Sequence, residues 1–436
     1  MDAPVRPLSP EDLNILALEN DVVAGHTCKV IMLREGISAA RLRAMLASRI
    51  SRAPELSMRL ETVEGAFCWV PTADIDLEAH VVACETGGAV DGAGLRREVA
   101  RIFAQRLDRS RPLWQVHVVG EIAGGGGALV WRIHHALADG ATAMRIASAV
   151  MWETSDRAAT RPPAVSPKER VRADGRPESK PVGRWRSGAL ATAVREAPRP
   201  WRRSPFDGRV GSERSIAFAS VELASLRRAI AEVEGATVND AVLSLVAGGL
   251  QRWLEERHGS LRSVRVKVPV SLHGAGSGHG GAHEPGNRDS FFCVDMPLGP
   301  HSPLERVAAI RDATKVRKDC HDAEHIDALT RQLGEASPRL RRFADRALVH
   351  PRSFALNVSN VRGPGDPVQV ERVSVRALYS IAEIRERHAL RVAVVSFAGV
   401  LGFGLCADPS LLPDVDHIAH GIEAESAALI DSVVAV

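Results

Sequence analysis

Residues 127–140 read GALVWRIHHALADG. From Ala128 to Ile133 every residue but Arg132 is apolar, and Val130, Trp131 and Ile133 favour extended backbone. That run predicts a buried β-strand. Two histidines end it, and Asp139-Gly140 opens a different pattern, ATAMRIASAVMWE (141–153), whose apolar residues recur at helical spacing. Asp139 is placed to cap the free N–H groups of the first helical turn. Gly140 permits close backbone approach or an unusual φ. Successive side chains on a strand point to opposite faces, so His134 and His135 cannot both face one cleft. One of them is packed or hydrogen-bonded inside the domain. The other is free to act as a base, because histidine titrates near pH 6.5 and is largely neutral at physiological pH. The same residues also describe a satisfied core histidine followed by a helix cap, so this stretch alone does not decide the chemistry.

Working outward, both halves of the chain mix helix and strand. LWQVHVVGEI (113–122) precedes the histidine strand and joins it through Gly124–Gly127 as a hairpin or tight loop. SAARLRAMLASRISRAP (38–54) is helical, with Leu42, Met45, Leu46 and Ile50 on one side. Later, TVNDAVLSLVAGGLQRWLEER (237–257) predicts a long helix opening near Val238, and PLERVAAIRDATKVRKDC (303–320) another. SVRVKVPVSL (263–272), RDSFFCVDMPL (288–298), RVSVRALYSI (372–381) and ALRVAVVSFAGVLGFGL (389–405) are strand-like. Between the halves, residues 154–213 are dominated by Pro, Arg, Ser and Gly and lose apolar periodicity, as a linker does. The organisation expected is therefore an α/β chain with domains at 1–153 and 214–436.

Bulk properties narrow the function classes. A chain of 436 residues, 45% apolar and 25% charged, is long enough for two domains with ordinary globular cores. A net charge of +3 is too small to argue for nucleic acid as a partner. Six cysteines without a CxxC pair read as reduced thiols in a cytoplasmic protein. There is no signal-peptide core and no apolar window of the ~20 residues a membrane span needs. Two motif matches are decoys. GSGHGG (276–281) fits G-x-G-x-x-G but is followed by AHEPGN, not by a helix opening that could receive a pyrophosphate. HDAEH (321–325) fits a zinc-peptidase pattern but lies in a charged helical run, and no metal is expected there or at His279 and His283. Trp185 and Trp201, interleaved with Arg184, Arg186, Arg199, Arg202 and Arg203, suit the surface of an anionic membrane or lipid droplet, and equally describe a plain solvated linker.

An ordered set of further segments adds specificity. HHALADG (134–140) resembles the HHxxxDG motif of the bacterial wax ester synthase/acyl-CoA:diacylglycerol acyltransferase family, within the CoA-dependent acyltransferases that carry HxxxD sites. LSPEDL near Leu8, RPLW (111–114), the Asn239-Asp240 pair, VPVSLHG, Gly286-Asn287 and NVSNVRGP (357–364) resemble the family's other blocks in order. Departures are Arg362 where proline is usual, Asp207 where asparagine is common, a single tyrosine, Tyr379, and a long glycine-rich loop.

The resemblance implies two chloramphenicol-acetyltransferase-like domains, each a mixed sheet flanked by helices, with strands exchanged between them and the site at their interface. It implies that His135 is the base, His134 supports it and Asp139 holds the geometry. Gly140, Asn357, Ser359 and Asn360 would be on the substrate side, the last three as candidates for stabilising the tetrahedral oxyanion. The bland reading of Asn357–Asn360 is a turn with side-chain-to-backbone bonds, and that of Asn239-Asp240 is a helix cap. The activity implied is long-chain O-acylation of diacylglycerol or a fatty alcohol by acyl-CoA, which is a substrate; no cofactor and no acyl-enzyme are expected, since the chain has no GxSxG elbow. Peripheral attachment to a membrane or droplet would fit such apolar products. The alternatives are a relative that acylates another alcohol or an amine, and a catalytically silent lipid-binding protein.

Overall fold

The computed structural model describes residues 5–154, 192, 204–257, 259, 261–271, 289–337, 350 and 353–434. The chain begins with β1 (Arg6–Pro7), α1 (Pro10–Ala17), β2 (His26–Leu33), α2 (Ala39–Arg49) and the hairpin β3 (Met58–Val63) and β4 (Ala66–Pro71). It continues with α3 (Leu77–His80), β5 (Val81–Ala83), α4 (Gly92–Ala104), β6 (Trp114–Val119), β7 (Gly127–His134), α5 (Gly140–Val150) and β8 (Glu153–Thr154). The second half runs β9 (Ser215–Glu222), α6 (Leu223–Ile230), α7 (Val238–Arg257), β10 (Ser263–Ser271), β11 (Asp289–Pro297), α8 (Pro303–Asp319) and α9 (Asp322–Ala336). It closes with β12 (Leu356–Arg362), β13 (Val368–Val370), β14 (Val373–Ala382), β15 (Leu390–Phe397), β16 (Val400–Ala407) and α10 (Val415–Val434).

Two large sheets organise these elements. One has seven strands in the order β5-β6-β7-β2-β14-β13-β8, the other six in the order β11-β10-β12-β15-β16-β9. The α/β architecture read from the sequence is thus present, with a mixed sheet in each half. β2 and β7 are buried along their whole length, which is why their sequences are near-continuous apolar runs and do not alternate. The β6–β7 hairpin pairs Val119 with Ala128 and Trp114 with Ile133, as the glycine run between them predicts.

The division of the chain and the division of the sheets do not coincide. β13 and β14 belong to the second half of the sequence but complete the first sheet, β14 pairing antiparallel with β2. β14 also lies directly over β16. Gly402 and Gly404 have no side chain, and a Cβ at either would fall inside the Leu378 or Ser380 carbonyl. The two sheets meet backbone to backbone there.

Most of the 154–213 linker lies outside the described residues, as do Trp185, Trp201, the glycine-rich loop, His279 and His283. Its last ten residues behave otherwise than a linker. Phe206 is fully buried, with its ring centroid 5.8 Å from that of Trp253, and Val210 is buried too. The HDAEH run does not assemble a metal site. His321 is exposed, Asp322 accepts a hydrogen bond from Thr192 and pairs with Arg317, and no group of three or more His, Cys, Asp or Glu among the described residues is placed to hold a metal. Among the described residues, no helix is long and apolar enough to cross a membrane.

Candidate active site

The two histidines separate as strand alternation requires. His134 is the last residue of β7 and turns inward. Its Nδ1 accepts the Ala136 N–H at 3.1 Å, so its Nε2 carries the proton and donates to Glu19 Oε1 at 2.5 Å. Glu19 also accepts a bond from Arg109 at 2.7 Å. Burial works to raise the Glu19 carboxyl, but the hydrogen bonds and charges of His134 and Arg109 outweigh it and hold the group below its ordinary value. His134 is therefore clamped by the loop after α1 and is not among the residues lining the cavity that His135 lines.

His135 points the other way. Its backbone N–H is anchored on Gly25 O at 3.0 Å, and the residue lines a cavity of about 280 Å³. Ile15, Leu18, Val23 and Ile384 supply the apolar lining; Arg385, Arg387 and Arg391 supply the basic lining. Burial, and then the charge of Arg391, push the His135 imidazole down to about 4, while a hydrogen bond to its own backbone and the charge of Asp139 pull weakly the other way. The ring is therefore neutral throughout the physiological range, as a base must be before it acts.

Asp139 sits where the sequence placed it. It is the N-cap of α5, its Oδ1 accepting the Thr142 N–H at 2.7 Å. The buried Lys29 ammonium lies within its electrostatic reach; burial brings that lysine down to about 8, and the Asp139 charge acts against the fall. Lys29 donates to Ser380 Oγ at 2.5 Å, so β2 and β14 are tied together within reach of the Asp139 charge. Gly140 is a packing requirement: a Cβ there would come within 2.8 Å of Val361 Cγ2. This contact brings the start of α5 against β12.

The segment Asn357–Asn360 is not a turn. It is the body of β12, which pairs in parallel with β10 and β15. Polar residues alternate there because one face of a parallel strand is turned to the site and not to the core. Asn357, Ser359 and Val361 share the face that meets Gly140, whereas Asn360 is exposed on the other face. Asn357 is in register with Arg391, a cavity-lining residue, and its Oδ1 is buried without a hydrogen-bond partner among the described residues. The Asn239-Asp240 pair lies elsewhere. Asp240 accepts bonds from Thr237 N, Thr237 Oγ1 and Thr314 Oγ1, locking the first turn of α7 onto α8.

Three residues of this site carry no local sequence signal. Glu19 meets His134 across 115 positions, Lys29 meets Ser380 across 351, and Arg391 lies far beyond both histidines in the chain. Each looks like an unremarkable surface or strand residue until the sheets close.

Known proteins resemble this chain in sequence and fold. The family model for the wax ester synthase/diacylglycerol acyltransferase catalytic domain matches residues 8–242, and that for the WS/DGAT C-terminal domain matches residues 285–429. A Mycobacterium tuberculosis protein whose name provisionally assigns it as a diacylglycerol O-acyltransferase is 28% identical over 460 residues, covering 97% of this chain and 88% of that one. Another from the same organism, similarly named, is 29% identical over 470 residues, with 98% and 97% covered. Among solved structures, the wax ester synthase/diacylglycerol acyltransferase from Marinobacter aquaeolei VT8 superposes with a TM-score of 0.68 at 22% identity, covering 97% of this chain and 98% of that one. The first condensation domain of the CDA synthetase follows with a TM-score of 0.59 at 17% identity, covering 99% and 97%.

Proposed function

We propose, from the premise that this chain belongs to the wax ester synthase/diacylglycerol acyltransferase family, that His135 is the general base of its acyl transfer. The activity is the movement of an acyl group from acyl-CoA to diacylglycerol or a long-chain alcohol, giving triacylglycerol or wax ester. The observation that carries the assignment of the base is the opposite fate of two adjacent histidines. His134 spends both ring nitrogens on protein partners, and His135 lines a cavity.

In this reading the acceptor hydroxyl gives its proton to the His135 ring as its oxygen attacks the thioester carbonyl. The C–O bond forms, the tetrahedral oxyanion collapses, the C–S bond breaks, and the departing thiolate takes the proton back from the imidazolium. Arg391 makes this sequence charge-dependent. Its guanidinium disfavours an imidazolium in the empty site, so proton transfer becomes favourable when a negative oxyanion develops nearby. Asn357 and Ser359, on the face of β12 that meets the His135 loop, are the other groups suited to that oxyanion. Asp139 and Gly140 act through position: the first caps α5, the second lets it reach β12.

Work at a lipid surface is part of the same proposal. Leu13 and Leu18 of the α1 segment are exposed, and Leu18 also lines the cavity, so apolar surface borders the site. The test is an acceptor panel with labelled palmitoyl-CoA. Release of CoA is expected to rise several-fold on adding dioleoylglycerol or hexadecanol, with the label recovered in a neutral ester. Acyl-CoA binding with no acceptor-dependent release from any member of the panel would contradict the proposal and favour the silent lipid-binding alternative.

A further inference from the structure

The wall of the cavity opposite its apolar side is unusually basic for a site that handles neutral lipids. Arg385, Arg387 and Arg391 all face it from the β14–β15 connection and the start of β15. Arg391 donates to the Glu383 carbonyl at 3.0 Å, and the described acids nearby are otherwise engaged or exposed. Glu383 is closed by Arg214 at 2.8 Å and accepts the Ala24 N–H at 3.4 Å. Asp207, which lies close enough for Arg387 to act on its charge, is pushed up to about 7 by burial. Glu386 stands at the exposed rim.

Arg385 is the informative member. Its backbone carbonyl accepts the His388 N–H at 2.9 Å, but its side chain, which is partly exposed and lines the cavity, has no hydrogen-bond or ion-pair partner among the described residues. A guanidinium does not lose its proton in a protein. A partly buried cation with no counter-charge is costly for a fold to hold. Such a group is suited to an anion that arrives with the substrate, and a planar guanidinium meets a phosphate or carboxylate with paired, charge-assisted hydrogen bonds.

That anion does not belong to CoA. When the thioester carbonyl is at His135, the CoA phosphates are a full pantetheine arm away. The basic wall shares one small cavity with His135, and the charge of Arg391 is felt at the imidazole itself. An anion held here shares a cavity with the reacting hydroxyl, and we assign it to the acceptor. The facing apolar lining, from Ile15, Leu18 and Val23, suits that molecule's hydrocarbon chain.

We propose that this chain prefers an acceptor lipid alcohol bearing an oxyanion close to its hydroxyl, a phosphate monoester or a carboxylate, which Arg385 binds. This rests on the reading of His135 as base but is separable from it. Three acceptors would be compared in the full chain: 1-oleoylglycerol 3-phosphate, a 3-hydroxy fatty acid and neutral monooleoylglycerol. The wild type is expected to favour one of the two anionic acceptors in kcat/KM by about tenfold or more, the scale of one charge-assisted hydrogen bond. Arg385→Gln should collapse that ratio, and Arg385→Lys should restore part of it. Added inorganic phosphate should raise KM for the anionic acceptor alone, a control that needs no variant.

Binding separates the two readings. A short-chain glycerol 3-phosphate ester should bind the His135→Ala chain, and Arg385→Gln in that background should weaken it about tenfold. Equal kcat/KM for anionic and neutral acceptors, or ester binding indifferent to Arg385→Gln, overturns the proposal while leaving acyl transfer intact. Weakened palmitoyl-CoA binding in Arg385→Gln also overturns it, by assigning the wall to the donor. Binding as expected without turnover of any acceptor sustains the anion site and refutes the base.

Discussion

His135→Ala is expected to lower kcat by about 10³-fold while the protein stays folded, because a positioned base contributes roughly 10²–10⁴ to a proton-transfer step. The loss should appear in kcat more than in KM. The ring touches the reacting hydroxyl and does little to hold either substrate's chain, so its removal costs an interaction made mainly in the transition state. Folding should survive because His135 lines a cavity, and truncation there enlarges a space already present. Far-UV circular dichroism and the thermal midpoint would report the fold, and single-turnover transfer of labelled acyl groups would report the chemistry. A variant within threefold of wild type would remove His135 from the mechanism.

The second large effect is on stability. Gly404→Val is expected to destabilise the protein by more than about 3 kcal/mol, at or beyond the upper end of usual overpacking costs. A flexible neighbour can step aside from a new methyl group, but the group facing Gly404 is the backbone carbonyl of Ser380, fixed in β14 by its pairing with β2. The only relief is to part the two sheets at the point where they join. Because β14 also carries the acceptor of the Lys29 bond, that tie between β2 and β14 would loosen with it. The denaturant midpoint should fall sharply, with soluble yield falling too. An unchanged midpoint would mean that the sheets are not in backbone contact at this residue.

How much of this was legible in the sequence follows from the range of the forces involved. The turn from β7 into α5 was readable because every signal lies within residues 127–153: a β-forming run, a capping aspartate, a glycine and a helical apolar stripe. The same holds for α2, whose Ser38 caps Arg41 N, and for α8, where Ser302 and Glu305 cap each other. β12 was less readable. NVSN has the composition of a turn, and only its parallel partners β10 and β15 reveal an extended strand with one polar face turned to the site. The exchange of β13 and β14 into the first sheet leaves no trace in local periodicity, since a strand's own pattern does not say which sheet it joins.

For the site, alternation along β7 predicted that one histidine would be packed and one would face a cleft, but not what would hold the first. The Glu19 clamp depends on a contact across 115 residues. Likewise the basic wall is spread through a connection, Glu383 to Arg391, that as sequence is a charged loop between strands. Its charges acquire meaning only when they converge on the same cavity as His135.

The most direct test of the central claim is the pH dependence of kcat/KM, which reports ionisations of the free enzyme. A base whose pKa is depressed to about 4 stays active as pH falls and loses activity only as it protonates near that value. The account therefore predicts a profile that is flat from neutrality down to about pH 5, with an acid limb of unit slope centred near 4, over a range where circular dichroism shows the chain still folded. Arg391→Gln, by removing a cation that disfavours the imidazolium, should move that limb to higher pH. A limb centred near 6.5, where a solvated histidine titrates, or one that Arg391→Gln leaves in place, would contradict the claim that the base is the enclosed imidazole of His135.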